Sequence, residues 1–206
     1  GLALARQGIG VAVTNYRLSP EVKHPEHVRD VASAFSWLHK NIAAHGGRPD
    51  RLFLCGHSAG GHLIALLATD ERFLKAQGLT VKAIKGVIPL SGVFNIPDNL
   101  TVFTSIFGPE PKDRHDASPL SHVRADAPPF LILFADKDLV YCNKRYAQEF
   151  CKALQAQRVE ADAVELPGRN HMSIIFNAGV DKDPAGAAIV SFIRRHADAP
   201  AGKGEK

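Results

Sequence analysis

No apolar run in this 206-residue chain reaches the ~18 residues that a membrane-spanning helix needs, so no bilayer span is expected. Cysteine is scarce, at three residues. Cys142 and Cys151 fall on one predicted helix, about 13 Å apart at 1.5 Å per residue, too far for a disulfide. Cys55 is expected to be buried on a strand, and this cysteine usage suits a reducing compartment such as the cytoplasm. The histidines include no His-Glu-x-x-His pattern, so neither a metal nor a cofactor is expected. Blocks of one charge sign are missing too. The net charge of +4 comes from 25 basic and 21 acidic residues that are dispersed, and only Arg194-Arg195 and the C-terminal tail cluster. That argues against a nucleic-acid or membrane surface.

What is present is alternation. Strand patterns at 9–14, 51–55, 82–90, 129–135 and 161–166 are separated by helical ones, which predicts an α/β domain with a mostly parallel sheet flanked by helices. Val28, Val31, Phe35, Leu38 and Ile42 recur at helical gaps and stop before Gly46, an amphipathic core helix. Tyr146, Phe150 and Leu154 mark another helix, and Ile189, Phe192 and Ile193 the last. One domain is expected over 1–196, with a disordered tail at 197–206. The stretch 91–128 is long and rich in Pro, Gly and Ser. Its Phe94, Ile96, Phe103, Ile106 and Phe107 would either line an apolar pocket or pin the loop to the core.

Gly56-His57-Ser58-Ala59-Gly60 has the form Gly-x-Ser-x-Gly. The bare pattern arises by chance in about one of 15 chains of this length, so its setting must decide. Leu52 to Cys55 reads as a buried strand and Gly60 to Thr69 as a buried helix. A serine on such a strand-to-helix turn is pushed out of the backbone, beside helix N–H groups that favour developing negative charge. Ser58 is therefore the candidate nucleophile, and it needs a base and an acid further along the chain. Phe130 to Phe134 is a buried strand that ends in Ala135-Asp136-Lys137-Asp138, where either aspartate could serve as the acid. Only His171 and His196 follow them. His196 ends a helix beside Arg194-Arg195, where it would complement the dipole. His171 lies just after the last strand, and is the candidate base.

Together these motifs resemble the serine esterase/lipase branch of the α/β-hydrolase superfamily that includes hormone-sensitive-lipase-like enzymes. Asn15 to Glu21 (NYRLSPE) is similar to that branch's Tyr-Arg-Leu-Ala-Pro-Glu segment, and Asn170-His171 to its histidine loop. The turn Ala135 to Asp138 resembles Gly-x-x-Asp, whose last residue is the acid, which implies Asp138 with Asp136 as the fallback. The resemblance implies an α/β-hydrolase fold and a cofactor-independent esterase acting on a small-molecule ester. The alternatives are a kynurenine formamidase acting on N-formylkynurenine, or a non-catalytic protein or inactive fragment of the same fold. Ala59 N–H would supply one oxyanion donor. The second normally comes from a His-Gly-Gly-type loop, and no such segment occurs. The chain starts at Gly1, inside what reads as the helix following that loop, so an N-terminally truncated domain is expected.

Overall fold

The computed structural model describes residues 1–98 and 101–197. In it, four strands form one parallel sheet in the order of the sequence: β1 (Phe53–His57), β2 (Gly86–Leu90), β3 (Phe130–Lys137) and β4 (Ala161–Asn170). Nine helices connect the described parts: α1 (Leu2–Ala5), α2 (Glu26–Asn41), α3 (Ala59–Thr69), α4 (Glu71–Lys75), α5 (Thr104–Phe107), α6 (Pro111–Ala117), α7 (Lys144–Ala156), α8 (Ser173–Asn177) and α9 (Pro184–Ala197). None of them is long and apolar enough to cross a membrane.

Side chains alternate across the strands and build two cores. Phe130, Ile132 and Phe134 of β3 join the core beneath α2, α3 and α7, while Leu131, Leu133 and Ala135 face α9 with Ile189, Phe192 and Ile193. The stripe on α2 packs as expected, with Val28, Val31 and Phe35 buried. After α2 a short 3-10 turn ends at Gly46, whose φ of 77° is the left-handed stop. Arg17, in the segment NYRLSPE, donates to Asp30 and Glu26 of α2, so it anchors the entry to that helix.

Several expectations need correction. Residues 9–14 form no strand, and Val13 is 87% exposed. A strand exists through its ladder, and no described residue pairs with this segment. For the same reason Cys55 is exposed rather than buried, because β1 is an edge. Cys142 does not share a helix with Cys151. It lies in the turn before α7, whose N-cap is Asn143. The start of the predicted strand 82–90 is a 3-10 turn, Val81–Ala83.

The described residues of the stretch 91–128 include two short helices, α5 and α6. Arg114 of α6, 3% exposed, donates to the carbonyls of Pro97 and Asp98 and to Thr104 Oγ1, and these bonds hold the loop together. Of the five apolar residues singled out there, Phe94 and Ile96 belong to the core, Phe94 stacking on Phe150 at 4.5 Å. Phe103, Ile106 and Phe107 are half-buried. The expected tail begins on the final residue of α9, and positions 198–206 lie outside the described residues.

Candidate active site

Ser58 stands between β1 and α3 with φ 54° and ψ −117°. For a residue with a side chain this is strained, at a cost of about 1–3 kcal/mol, and the surroundings must hold it. They do so through two backbone bonds. Ser58 N–H donates to Leu90 O on β2 at 2.9 Å, and His62 N–H donates to Ser58 O at 3.0 Å. Close packing adds a constraint at Gly56, where a Cβ would come within 2.5 Å of Gly60 O. At Gly60 itself a Cβ would meet nothing within 4 Å. Of the two motif glycines, the packing therefore demands only Gly56.

The candidate acid and base reach Ser58 from the far side of the sheet. Because all four strands are parallel, their C-terminal ends share one rim, where doubly wound sheets carry their chemistry. His171, one residue beyond β4, places Nε2 2.8 Å from Ser58 Oγ, and its Nδ1 lies 2.7 Å from Asp138 Oδ1. The structure thus brings Ser58, His171 and Asp138 into one unbroken chain of hydrogen bonds. The Asp138 side chain is fully buried, whereas that of His171 is 13% exposed.

Asp136 has other work. It accepts the backbone N–H groups of Gly168 and Arg169, each at 2.9 Å, and these bonds hold its carboxyl below the usual carboxylate range. This fixes the turn within β4 that leads to His171, far from the serine in the hydrogen-bond order. His196, the other downstream histidine, sits on α9 against Phe192 and Glu160.

Three neighbours escaped the sequence reading. Ser91 directly follows β2 as Ser58 follows β1, also with positive φ (48°), and its hydroxyl donates to Asp138 Oδ2 at 2.5 Å. With Ala135 N–H on Oδ2 and Leu139 N–H on Oδ1, it fixes the carboxylate that faces His171. A serine placed directly after a strand, as Ser58 is, was its signal. His57 Nε2–H donates to the backbone oxygen of His171 at 2.7 Å, and desolvation lowers the His57 pKa. It ties β1 to the histidine loop. Cys142 lies beside Asp138, and burial, reinforced by that carboxylate, pushes its thiol up to about 12. It is a neutral thiol and does not compete with Ser58 as a nucleophile.

Ala59 is the first residue of α3, where backbone N–H groups have no intrahelical acceptor and can face an anion. Two surface cavities of about 580 and 610 Å³ open elsewhere, around Asp70–Arg72 and around His24 and Phe107. Ser58, His171 and Asp138 line neither of these two.

A nucleophile elbow, a carboxylate and a histidine in this order on a parallel sheet define a serine-hydrolase type of site. The chain belongs to the alpha/beta hydrolase fold family, whose model matches residues 3–175. It is 30% identical to the esterase LipC of Mycobacterium tuberculosis over 93% of its length and 52% of that protein's. It is likewise 30% identical to the isoprenylcysteine alpha-carbonyl methylesterase ICME of Arabidopsis thaliana, over 94% of this chain and 50% of that one. Among solved structures it superposes with TM-score 0.70 on the thermostable carboxylesterase EstE1 from a metagenomic library. Identity there is 26%, over 87% of this chain and 67% of that chain. The chain spans about half the length of the curated relatives it matches.

Proposed function

We propose that this protein cleaves carboxylic esters through a covalent acyl-serine. The observation that carries the reading is the continuous relay from Asp138 Oδ1 through His171 to Ser58 Oγ, at 2.7 and 2.8 Å. In this reading Asp138 accepts His171 Nδ1–H and so leaves Nε2 as the lone-pair nitrogen that faces the serine. Nε2 takes the hydroxyl proton as Ser58 Oγ attacks the ester carbonyl. The tetrahedral oxyanion is held by Ala59 N–H at the start of α3. His171 then returns its proton to the departing alkoxide, and water, activated by the same imidazole, releases the acid and restores Ser58. The esterase relatives support an ester over other acyl substrates.

The test is covalent. A fluorophosphonate probe should add one phosphonate to Ser58 of the wild-type chain and none to Ser58→Ala. Hydrolysis of a short-chain p-nitrophenyl ester should fall on the order of 10⁵–10⁶-fold in that variant, as when a serine nucleophile is removed elsewhere. Labelling of a different serine, or undiminished turnover in Ser58→Ala, overturns the assignment.

A further inference from the structure

The pair Asp138–His171 has a third neighbour that the relay does not use. Cys142 Sγ, a carboxylate oxygen of Asp138 and a ring nitrogen of His171 all lie within 4.8 Å of one another. The turn after β3 brings the thiol there, closed by Cys142 N–H donating to Leu139 O at 2.9 Å. Thiolate, imidazole and carboxylate are the ligand types of zinc. In a tetrahedral site with bonds of about 2.0–2.3 Å, donor atoms stand about 3.3–3.8 Å apart, so shifts of about 1 Å suffice. The charge also fits. A carboxylate and a thiolate in a place with little solvent are together balanced by one divalent cation.

The geometry points to an inhibitory site for a borderline-soft divalent cation, Zn²⁺, made by Asp138, Cys142 and His171 at the back of the relay. The cation takes the lone pair of Nδ1 and the sulfur of Cys142, and keeps one carboxylate oxygen of Asp138. A water fills the fourth position. The imidazole proton moves from Nδ1 to Nε2, the thiol proton leaves to solvent, and nothing is oxidised or reduced. Nε2 is then a donor, and it can no longer receive the proton of Ser58. Zinc here switches the reaction off and takes no part in it. Only the effect on turnover rests on the serine-hydrolase reading. The binding does not.

Cobalt tests the binding without turnover. Co²⁺ added to the metal-free 206-residue chain should produce thiolate-to-cobalt charge-transfer absorption, which Zn²⁺ removes. Cys142→Ala and Cys142→Ser should both lack that band. Half-inhibition of p-nitrophenyl ester hydrolysis should need at least about tenfold more Zn²⁺ in either variant, each compared with its own metal-free rate, and EDTA should restore the wild type. A band that survives in Cys142→Ala, as binding at the exposed Cys55 would give, overturns the proposal. So does equal zinc sensitivity in wild type and variant. If neither variant folds, the double variant Cys55→Ser/Cys151→Ser decides, because Cys142 is then the remaining thiol: a band kept there supports the site and a missing band rejects it. Fluorophosphonate labelling of the metal-free chain is the separate control. A cobalt band without Ser58 labelling keeps the metal site and rejects the serine-hydrolase reading.

Discussion

The two edges of the sheet are built differently. β4 carries the devices that keep an edge from pairing: Asp162 and Glu165 along it, Pro167 within it, and an irregular register against β3 between Ala135 and Lys137. β1 has none of them. Its residues are Phe53, Leu54, Cys55, Gly56 and His57, without a charged Lys, Asp or Glu or a proline, and Cys55 is exposed. Among the described residues, the apolar Val11 and Val13 are exposed and pair with no strand. β4 has the composition of a finished edge and β1 that of an inner strand. Ser58, the proposed nucleophile, stands on the less supported side, braced from β2 and α3, whereas His171, its proposed base, follows the finished edge.

The largest effect expected on the finished side separates the two aspartates. Asp138→Asn should lower turnover up to about 10⁴-fold, because the wrong histidine tautomer then faces Ser58. Asp136→Asn should lower the melting temperature through the Gly168–Arg169 turn while leaving most turnover intact. Measured together on folded protein, the pair breaks the assignment if Asp136→Asn is the variant that loses turnover.

The parts of this architecture that local pattern controls were legible in the sequence. The strand–Ser58–helix turn, the alternating faces of β3 and the stripe on α2 depend on neighbours within a few residues. The misread parts depend on who sits alongside. Residues 9–14 have the apolar content of a strand, yet a strand needs a partner, and Cys55 lost its burial for the same reason. Ser91 and Cys142 are brought to Asp138 by contacts 47 residues away in the first case and by a turn in the second. No periodicity announces either one. The choice of Asp138 over Asp136 was legible only through the resemblance, and the hydrogen bonds supply its physical reason.

A second effect probes how the β1 side is held from within. His62 of α3 is buried, and its Nε2–H donates to Ala117 O at 2.7 Å, tying the helix after the elbow to α6. Desolvation lowers its pKa from 6.5 to about 4. The unfolded chain therefore binds a proton at this position below about pH 6.5, while the folded chain does not until about pH 4. Stability from this group is complete above pH 6.5 and is lost as pH falls from there to 4, by about 3 kcal/mol over the window. The half-buried His24 is shifted in the same direction by desolvation. Denaturant midpoints taken between pH 7 and 4.5 should fall with acid, and His62→Gln, which keeps an N–H for Ala117, should flatten that fall. An unchanged slope in His62→Gln would place the acid sensitivity elsewhere.

The smallest effect tests the elbow itself, through the same substitution made at its two glycines. Gly56 closes β1 against the first turn of α3, and a methyl there would meet Gly60 O at 2.5 Å and Gly60 C at 2.6 Å. Both are backbone atoms and neither can rotate away, so Gly56→Ala should cost about 1–3 kcal/mol and displace Ser58. Gly60 lies inside α3 with open space around its missing Cβ. Gly60→Ala should then be neutral, or stabilise by about 0.5–1 kcal/mol through the helical preference of alanine. Urea midpoints and fluorophosphonate labelling rates of the two variants check both halves. Equal losses would mean that Gly60 is also packed against a neighbour in solution, and that the side of the molecule next to β1 is covered rather than open.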